Sequence, residues 1–315
     1  MSSAVQQISA GFSPTESQLA VAYSVCRGIA RSAAKNFYYA FLVLPRPKRQ
    51  ALCAVYAFMR RCDDIADDES LSMRERRQKL QDWLDSVHNA LAGRPTDDPI
   101  LLALTDAQRR FKIPVEQLDE LAVGTAMDVQ EELPGEAPPP DHAAATAPYK
   151  TFQDLYLYCY RVASVVGLIC IRVFGYKDAK AEQLAERCGI AFQLTNIVRD
   201  VKEDANVGRV YIPEEDLNRF GVTASDLQTS NDPSRFRPLL EFEAARALEY
   251  YRSADELIPY VDEDSQPALW VLVNIYRRLL EEIGLRQYDV FNGKVSLTTR
   301  EKLRILGKGF LKRLV

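Results

Sequence analysis

Tyr56-Ala-Phe-Met-Arg60-Arg-Cys-Asp63-Asp64-Ile-Ala-Asp67 is the stretch from which the rest of the chain is read. Wound as an α-helix, at about 100° per residue, it brings Tyr56, Arg60, Asp63 and Asp67 onto one narrow stripe, because their separations are near-whole turns. That stripe is polar. Val55, Phe58, Met59 and Ile65 occupy other positions and are apolar, so the helix buries one side in a core and aims two carboxylates elsewhere. Like charges at this spacing cost a helix roughly 0.2–0.5 kcal/mol per pair. A cation reverses that cost.

Asn196-Ile-Val-Arg199-Asp200-Val-Lys-Glu-Asp204 repeats the design. Asn196, Asp200 and Asp204 are four apart and form a second polar stripe, with Ile197, Val198 and Val201 on the apolar side. A lone Asp-x-x-x-Asp is what chance gives a solvated helix. Here there are two, each within apolar sequence and each with an arginine alongside, Arg60 or Arg61 in the first and Arg199 in the second. Magnesium binds through one or two carboxylates plus the oxygens of a phosphorylated substrate, and two such helices facing across a cavity would hold it. The neighbouring arginines, with Arg209 in the loop that follows, would engage phosphate oxygens. The ligand implied has a diphosphate head. The chemistry that follows is metal-assisted ionisation, leaving an allylic carbocation in a dry pocket whose aromatic faces stabilise it by about 0.5–2 kcal/mol each.

Composition narrows the alternatives. The chain has 315 residues, 47% of them hydrophobic, enough for a sizeable core. A net charge of −4 and a pI near 5.5 argue against a nucleic-acid partner. The six cysteines show no zinc-like spacing and read as buried free thiols of a protein in a reducing cytoplasm. The two histidines, His88 and His142, leave little for histidine-based catalysis. The longest apolar run, Val162 to Ile171, is about half the length of a bilayer span.

Residues 1–16 read as a loose tail. Helical periodicity then predicts helices from the start signal at the end of that tail, Ser13-Pro-Thr-Glu16, to about Phe41, over the opening stretch, from Met73 to Leu91, from Pro99 to Phe111, and from Val115 to about Glu132. The proline- and alanine-rich segment 133–149 reads as a surface loop within one domain, residues 17–315. Further helices follow over Thr151–Phe174, Asp178–Asp204, Pro233–Val261, Gln266–Tyr288 and Leu297–Leu314. No strand alternation persists and no glycine-rich phosphate loop follows a strand. The fold class is all-α, a helical bundle around a central cavity.

With these residues in view, the chain resembles the squalene/phytoene synthases, which join two prenyl diphosphates head to head. The resemblance rests on Asn36-Phe-Tyr-Tyr-Ala-Phe41, on Tyr56 to Asp67, on Tyr158-Cys-Tyr-Arg-Val-Ala163 through Gly167, and on Gln193 to Asp204 through Gly208-Arg-Val-Tyr211. It implies an isoprenoid-synthase fold with magnesium, or manganese in its place, at Asp63, Asp67, Asp200 and Asp204. It implies diphosphate contacts from Arg60, Asn196, Arg199, Arg209 and Lys294, and tyrosines Tyr56, Tyr158 and Tyr211 at the reaction centre, with Tyr158 taking the proton whose loss closes a cyclopropane. The chain departs from the family at Ala34 and Asn36, where serine is frequent, at Lys294, where arginine is common, and in the length of segment 133–149.

Within the family, Tyr-Tyr-Ala-Phe, Val-Ala-Ser-Val-Val-Gly and Val-Phe-Gly put first a bacterial presqualene diphosphate synthase using two C15 farnesyl diphosphates. The alternative is a phytoene synthase using two C20 geranylgeranyl diphosphates. No dinucleotide fingerprint supports NADPH. A terpene cyclase would lack the Tyr158 motif and the Gly208–Tyr211 loop, and a non-catalytic assembly factor would have lost the metal aspartates. The C-terminal helix sets Lys302, Arg304, Lys308, Lys312 and Arg313 beside Leu303, Leu306, Phe310 and Leu311, a pattern suited to an anionic membrane or to packing with its basic residues outward.

Overall fold

The computed structural model describes residues 13–125, 147–229 and 232–314. Most of the expected tail and of the 133–149 loop, together with Met127, Asp128 and His142, lie outside the described residues. So do the side chains of Lys35 and Asn36.

Helix starts follow from capping chemistry. Thr15 and Ser72 each accept from the backbone three residues on while Gln18 and Glu75 reach back, opening α1 (Glu16–Ala33) and α4 (Met73–Leu91) with reciprocal capping boxes. Asp98 accepts from the amides of Ile100 and Leu101, and Pro99 suits the first turn of α5 (Pro99–Phe111). Thr151 and Asp154 open α7 (Phe152–Cys159) in the same way. The described elements are helical, and the one extended pairing among them is an isolated bridge between Tyr176 and Val261. The six cysteines are buried free thiols.

Two expected helices are broken. The first splits at Ala34 into α1 and α2 (Lys35–Phe41), which turns the aromatic run so that the Phe37 ring meets Tyr276 edge-on at 5.8 Å. The second passes through a π-helical segment, Tyr160–Ser164, between α7 and α8 (Val165–Phe174). Glycines on two neighbours cradle this segment. A Cβ at Gly124 on α6 (Val115–Thr125) would stand 2.5 Å from the Arg161 carbonyl oxygen, and one at Gly189 would stand 2.6 Å from the Ser164 Cα. The wider turn is therefore set by close backbone contact, as is common where a helix borders a functional site.

The opening stretch lies on α3 (Arg46–Ala66), whose apolar positions pack against α1 and α5. The second stretch ends α9 (Lys180–Asn206), buried along most of its length between α8 and α12 (Arg237–Leu257). α13 (Gln266–Leu285) supplies another wall and carries α14 (Thr299–Leu314) on its outer side. Gly309 of α14 lies against Val271 and Leu306 is buried, while Leu303, Phe310 and Leu311 remain exposed. Between α9 and α12 the chain forms two short helices that periodicity did not reveal, α10 (Glu214–Arg219) and α11 (Ala224–Thr229).

Phe152–Phe174 is the one stretch among the described residues long and apolar enough to cross a bilayer, and half of its most apolar window is buried inside the bundle. It lines a cavity from within the core, which accounts for its apolarity.

Candidate active site

A cavity of about 160 Å³ lies between α2, α3, α8, α9 and α13. Its walls are apolar: Phe37, Met59, Val166, Gly167, Phe192 and Leu272, among others. Polar groups gather at one end, where Gln193, Asn196 and Tyr276 line it. Tyr276 is buried, stacked on Phe192 with ring centroids 4.5 Å apart, and burial pushes its hydroxyl up to about 12 against the pull of Arg199. Tyr56 and Asp200 also act on that hydroxyl, so Tyr276 stands between the two carboxylate helices. A smaller pocket of about 30 Å³, lined by Tyr56, Phe41 and Leu52, shares Phe37, Met59, Val166 and Cys170 with the main cavity.

The first carboxylate stripe sits where α3 ends. Asp67 caps the helix, its N–H donating to the Asp63 carbonyl at 2.8 Å, so the helical spacing of the stripe carries through to its last residue. Burial pushes the Asp63 carboxyl up to about 7. Arg60 opposes this, and the Asp67 and Asp64 charges add to it. The Arg60 guanidinium lies 2.6 Å from Asp64, a partly exposed pair, so the arginine expected on phosphate is shared with a carboxylate off the stripe.

The second stripe is arranged differently. Arg199 grips Asp200 with two nitrogens, its Nε donating to Oδ1 at 2.7 Å, and Lys294 stands 3.4 Å from the same Oδ1 while also pairing with Glu203. Lys294, 94 positions on from Asp200 in sequence, is thus brought beside the second stripe by the fold. Asp204 lies one turn further. Burial and the Asp200 charge push its carboxyl up to about 7, with Arg209 pulling it down.

Asn196 donates through Nδ2 to Gln193 at 3.3 Å, while its Oδ1 is buried with no hydrogen-bond partner. An unpartnered acceptor at the polar end of an apolar cavity suits a cation or a donor, rather than an anionic phosphate oxygen. Among the described residues no three acidic, histidine or cysteine side chains converge as a ready-made metal site. Separate carboxylate pairs, one on each helix end, nonetheless fit magnesium, which takes few protein ligands and completes its octahedron with substrate phosphate and water.

Tyr158 and Tyr211 do not line the cavity. They stack on each other at 4.9 Å between centroids, with Tyr149 completing a three-ring group at 5.4 Å from Tyr158. Tyr158 opens into the π segment whose Val162 and Ala163 do line the cavity. Sequence reasoning assigned no role to Tyr276 or Gln193. Tyr276 sits in Leu272-Val-Asn-Ile-Tyr276, whose apolar periodicity reads as ordinary core, and only the fold shows it beside Asn196.

Known proteins resemble this chain over most of its length. A family model described as squalene/phytoene synthase matches residues 30–301. A phytoene synthase of Mycobacterium tuberculosis is 37% identical over 288 residues, covering 90% of this chain and 89% of that protein. A 15-cis-phytoene synthase of Synechococcus elongatus is 33% identical over 323 residues, covering 99% of each. Among solved structures, a dehydrosqualene synthase bound to a ligand superposes with a TM-score of 0.79 at 29% identity, covering 93% of this chain and 96% of that one. With a match that takes in both carboxylate helices, the π segment and the walls of the cavity, this chain is a member of the squalene/phytoene synthase family.

Proposed function

We propose that the chain condenses two molecules of geranylgeranyl diphosphate head to head, in the 1'-1 sense, through a cyclopropylcarbinyl diphosphate. The observation that carries the reading is the apolar cavity whose one polar end is flanked by two arginine-bearing carboxylate helices. The C20 substrate, the alternative in the sequence reading, is now preferred to C15 because the curated relatives that match nearly the whole chain are phytoene synthases.

Magnesium at Asp63 and Asp67 on one side and Asp200 and Asp204 on the other would neutralise charge on the departing diphosphate, with manganese an acceptable substitute. Arg199, Arg209 and Lys294 bind diphosphate oxygens, and the grip of Arg199 on Asp200 holds its guanidinium in place beforehand. Arg60 serves the same head group from α3. The cavity walls exclude water, so the allylic cation meets a prenyl double bond rather than hydroxide. The faces of Phe37, Phe192 and Tyr276 stabilise that cation. Tyr158 stacks with Tyr149 and Tyr211 behind the cavity wall, next to the π segment whose Val162 and Ala163 form that wall, and in this reading it takes the proton whose loss closes the cyclopropane, while Tyr56 lines the small pocket that adjoins the main cavity. NADPH has no part in this reading.

Purified protein given magnesium and C20 diphosphate should release a C40 hydrocarbon, identified by mass spectrometry, with C15 diphosphate consumed at least tenfold more slowly. Presqualene diphosphate or a C30 hydrocarbon as the faster product would return the assignment to the C15 reading, which the likeness to the dehydrosqualene synthase structure keeps in the test. A monomeric cyclised terpene would overturn both.

A further inference from the structure

One guanidinium joins the two segments that carry the tyrosine stack. Arg246 of α12 donates through Nη1 to Asp216 of α10 at 2.8 Å, and to the two oxygens of Glu243 on its own helix at 2.9 and 2.7 Å. Both carboxylates are buried. The same guanidinium lies over the Phe152 ring of α7, 4.2 Å from its centroid. Two buried carboxylates facing one arginine leave a negative charge without a partner, a costly arrangement unless one of them keeps a proton. Burial holds the Glu243 carboxyl well above the usual carboxylate range against the pull of Arg246, with the Asp216 charge adding to the rise.

Each contact of Arg246 leads to a ring of the stack. Asp216 follows Tyr211 closely in sequence, and the Pro213 carbonyl between them accepts from the Asp216 N–H at 3.0 Å, so the path from ring to carboxylate is a short closed turn. Phe152 opens α7, the helix that carries Tyr158, and the Glu243 charge reaches the buried Cys159 thiol beside that tyrosine. The two segments are also stitched to each other. The Glu214 N–H donates to the Tyr149 carbonyl at 2.8 Å, the Glu215 N–H to the Lys150 carbonyl at 3.1 Å, and the Phe152 N–H to Glu215 Oε1 at 2.7 Å. Tyr149 and Tyr158 on one segment and Tyr211 on the other therefore share one anchor.

We infer that Arg246, held by Asp216 and Glu243, is a positioning residue that sets the Tyr149–Tyr158–Tyr211 stack against the π segment. The inference rests on the reading in which Tyr158 takes the proton of the cyclopropane-closing step, and deepens it. Arg246 does not line the cavity, and it acts on the reaction through the stack alone. With the stack displaced, substrate still ionises, because the groups that draw off the diphosphate are untouched. The cation then outlives its base and is captured by water: a C–O bond forms, the water's proton passes to solvent, and an alcohol appears in place of the cyclopropane. Diphosphate is thereby released without hydrocarbon.

The test measures diphosphate released per molecule of C40 hydrocarbon, with kcat and KM, on the full chain given magnesium and C20 diphosphate. The proposed reaction releases two. Arg246→Lys keeps the charge and loses the planar group that stacks on Phe152. In it, kcat for hydrocarbon should fall about tenfold with KM within about threefold of wild type, and the ratio should at least double, prenyl alcohol making up the excess. Phe152→Leu, a milder change that secures the test should the lysine variant fold poorly, should raise the ratio by about half. Glu243→Ala should raise it too, and Glu243→Gln should bring it back, because an amide accepts from Arg246 and donates to Asp216 as a protonated carboxyl does. A ratio that stays at the wild-type value in folded Arg246→Lys and Phe152→Leu, whatever their kcat, overturns the positioning role and leaves the reaction standing. Wild-type protein that forms no head-to-head product overturns the reaction and the positioning role together.

Discussion

The ends of α3 and α9 carry the same sequence device and differ in how it is compensated. On α9, Asp200 is gripped by Arg199 and approached by Lys294, Glu203 pairs with Lys294, and Arg209 acts on Asp204. On α3, Arg60 is the base nearest the stripe, and its guanidinium is bonded to Asp64. Arg61 turns away, lying over the ring of Trp83. On the proposed reading the α9 end has the bases that would receive phosphate, whereas the α3 end would depend on a cation for most of its compensation. Two motifs that look equivalent in sequence would then divide the work between them.

The largest effects should come from removing a carboxylate at either end. Asp63→Asn and Asp200→Asn should each lower kcat/KM by about a thousandfold or more, about 4 kcal/mol at 1.36 kcal/mol per tenfold. Steady-state assays over a magnesium series sharpen the contrast: excess magnesium should recover part of the loss in Asp63→Asn and little in Asp200→Asn, where Arg199 is also set loose. Equal recovery in both would break the division of labour.

Next in size is the response to diphosphate alone. Arg199→Met and Lys294→Met should weaken inorganic diphosphate binding by about tenfold each, of the order expected for a charge-assisted hydrogen bond. Arg60→Met should weaken it by threefold or less. Calorimetry with and without magnesium reads all three, and an Arg60 effect as large as that of Arg199 would make the two ends equivalent.

Stability should move in opposite directions. Asp63 is a half-buried carboxylate among like charges, so Asp63→Asn should stabilise the metal-free protein by about 1 kcal/mol, the usual exchange of function for stability. Asp200→Asn should destabilise it by about 1–3 kcal/mol, because the largely buried Arg199 guanidinium loses its partner. Urea denaturation in EDTA measures both.

The sequence carried the helices whose ends are chemically marked. Apolar periodicity bounded α4 and α5 at Met73–Leu91 and Pro99–Phe111, where the structure shows Ser72 with Glu75 and Asp98 with Pro99 at their starts, and the same 3.6-residue period marked the two carboxylate stripes. What it hid was imposed by distant neighbours. The break at Ala34 has no proline or glycine to mark it and follows from α2 packing on α13. The π segment depends on Gly124 and Gly189, 36 to 40 residues away on one side and 25 to 29 on the other, whose missing side chains admit its backbone. The bonds from Lys48 Nζ to the Phe174 carbonyl and to Asp264 join residues separated by more than 120 positions, and Lys48 alone reads as an ordinary surface base. Likewise, spacing placed Arg60 on the stripe and also one turn from Asp64, at i,i+4, and left open which carboxylate the folded side chain takes.

That preference yields the smallest expected effect. Asp64 stands about 100° around the helix from Asp63, and it borders an exposed cleft with Arg61, Asp68 and Lys79 on the outer side of α3, away from the cavity. It contributes no atom to the polar end between Asn196 and Tyr276, so Asp64→Asn should change kcat by threefold or less. Its bonded link to the site is Arg60, beside the small push that its charge gives Asp63. An asparagine there releases the guanidinium toward Asp63 and the diphosphate, so KM should fall or hold steady instead of rising. A rise in KM above tenfold, with the melting temperature unchanged, would mean that Asp64 faces the cavity during turnover, and the stripe of Asp63 and Asp67 would have to be redrawn to include it.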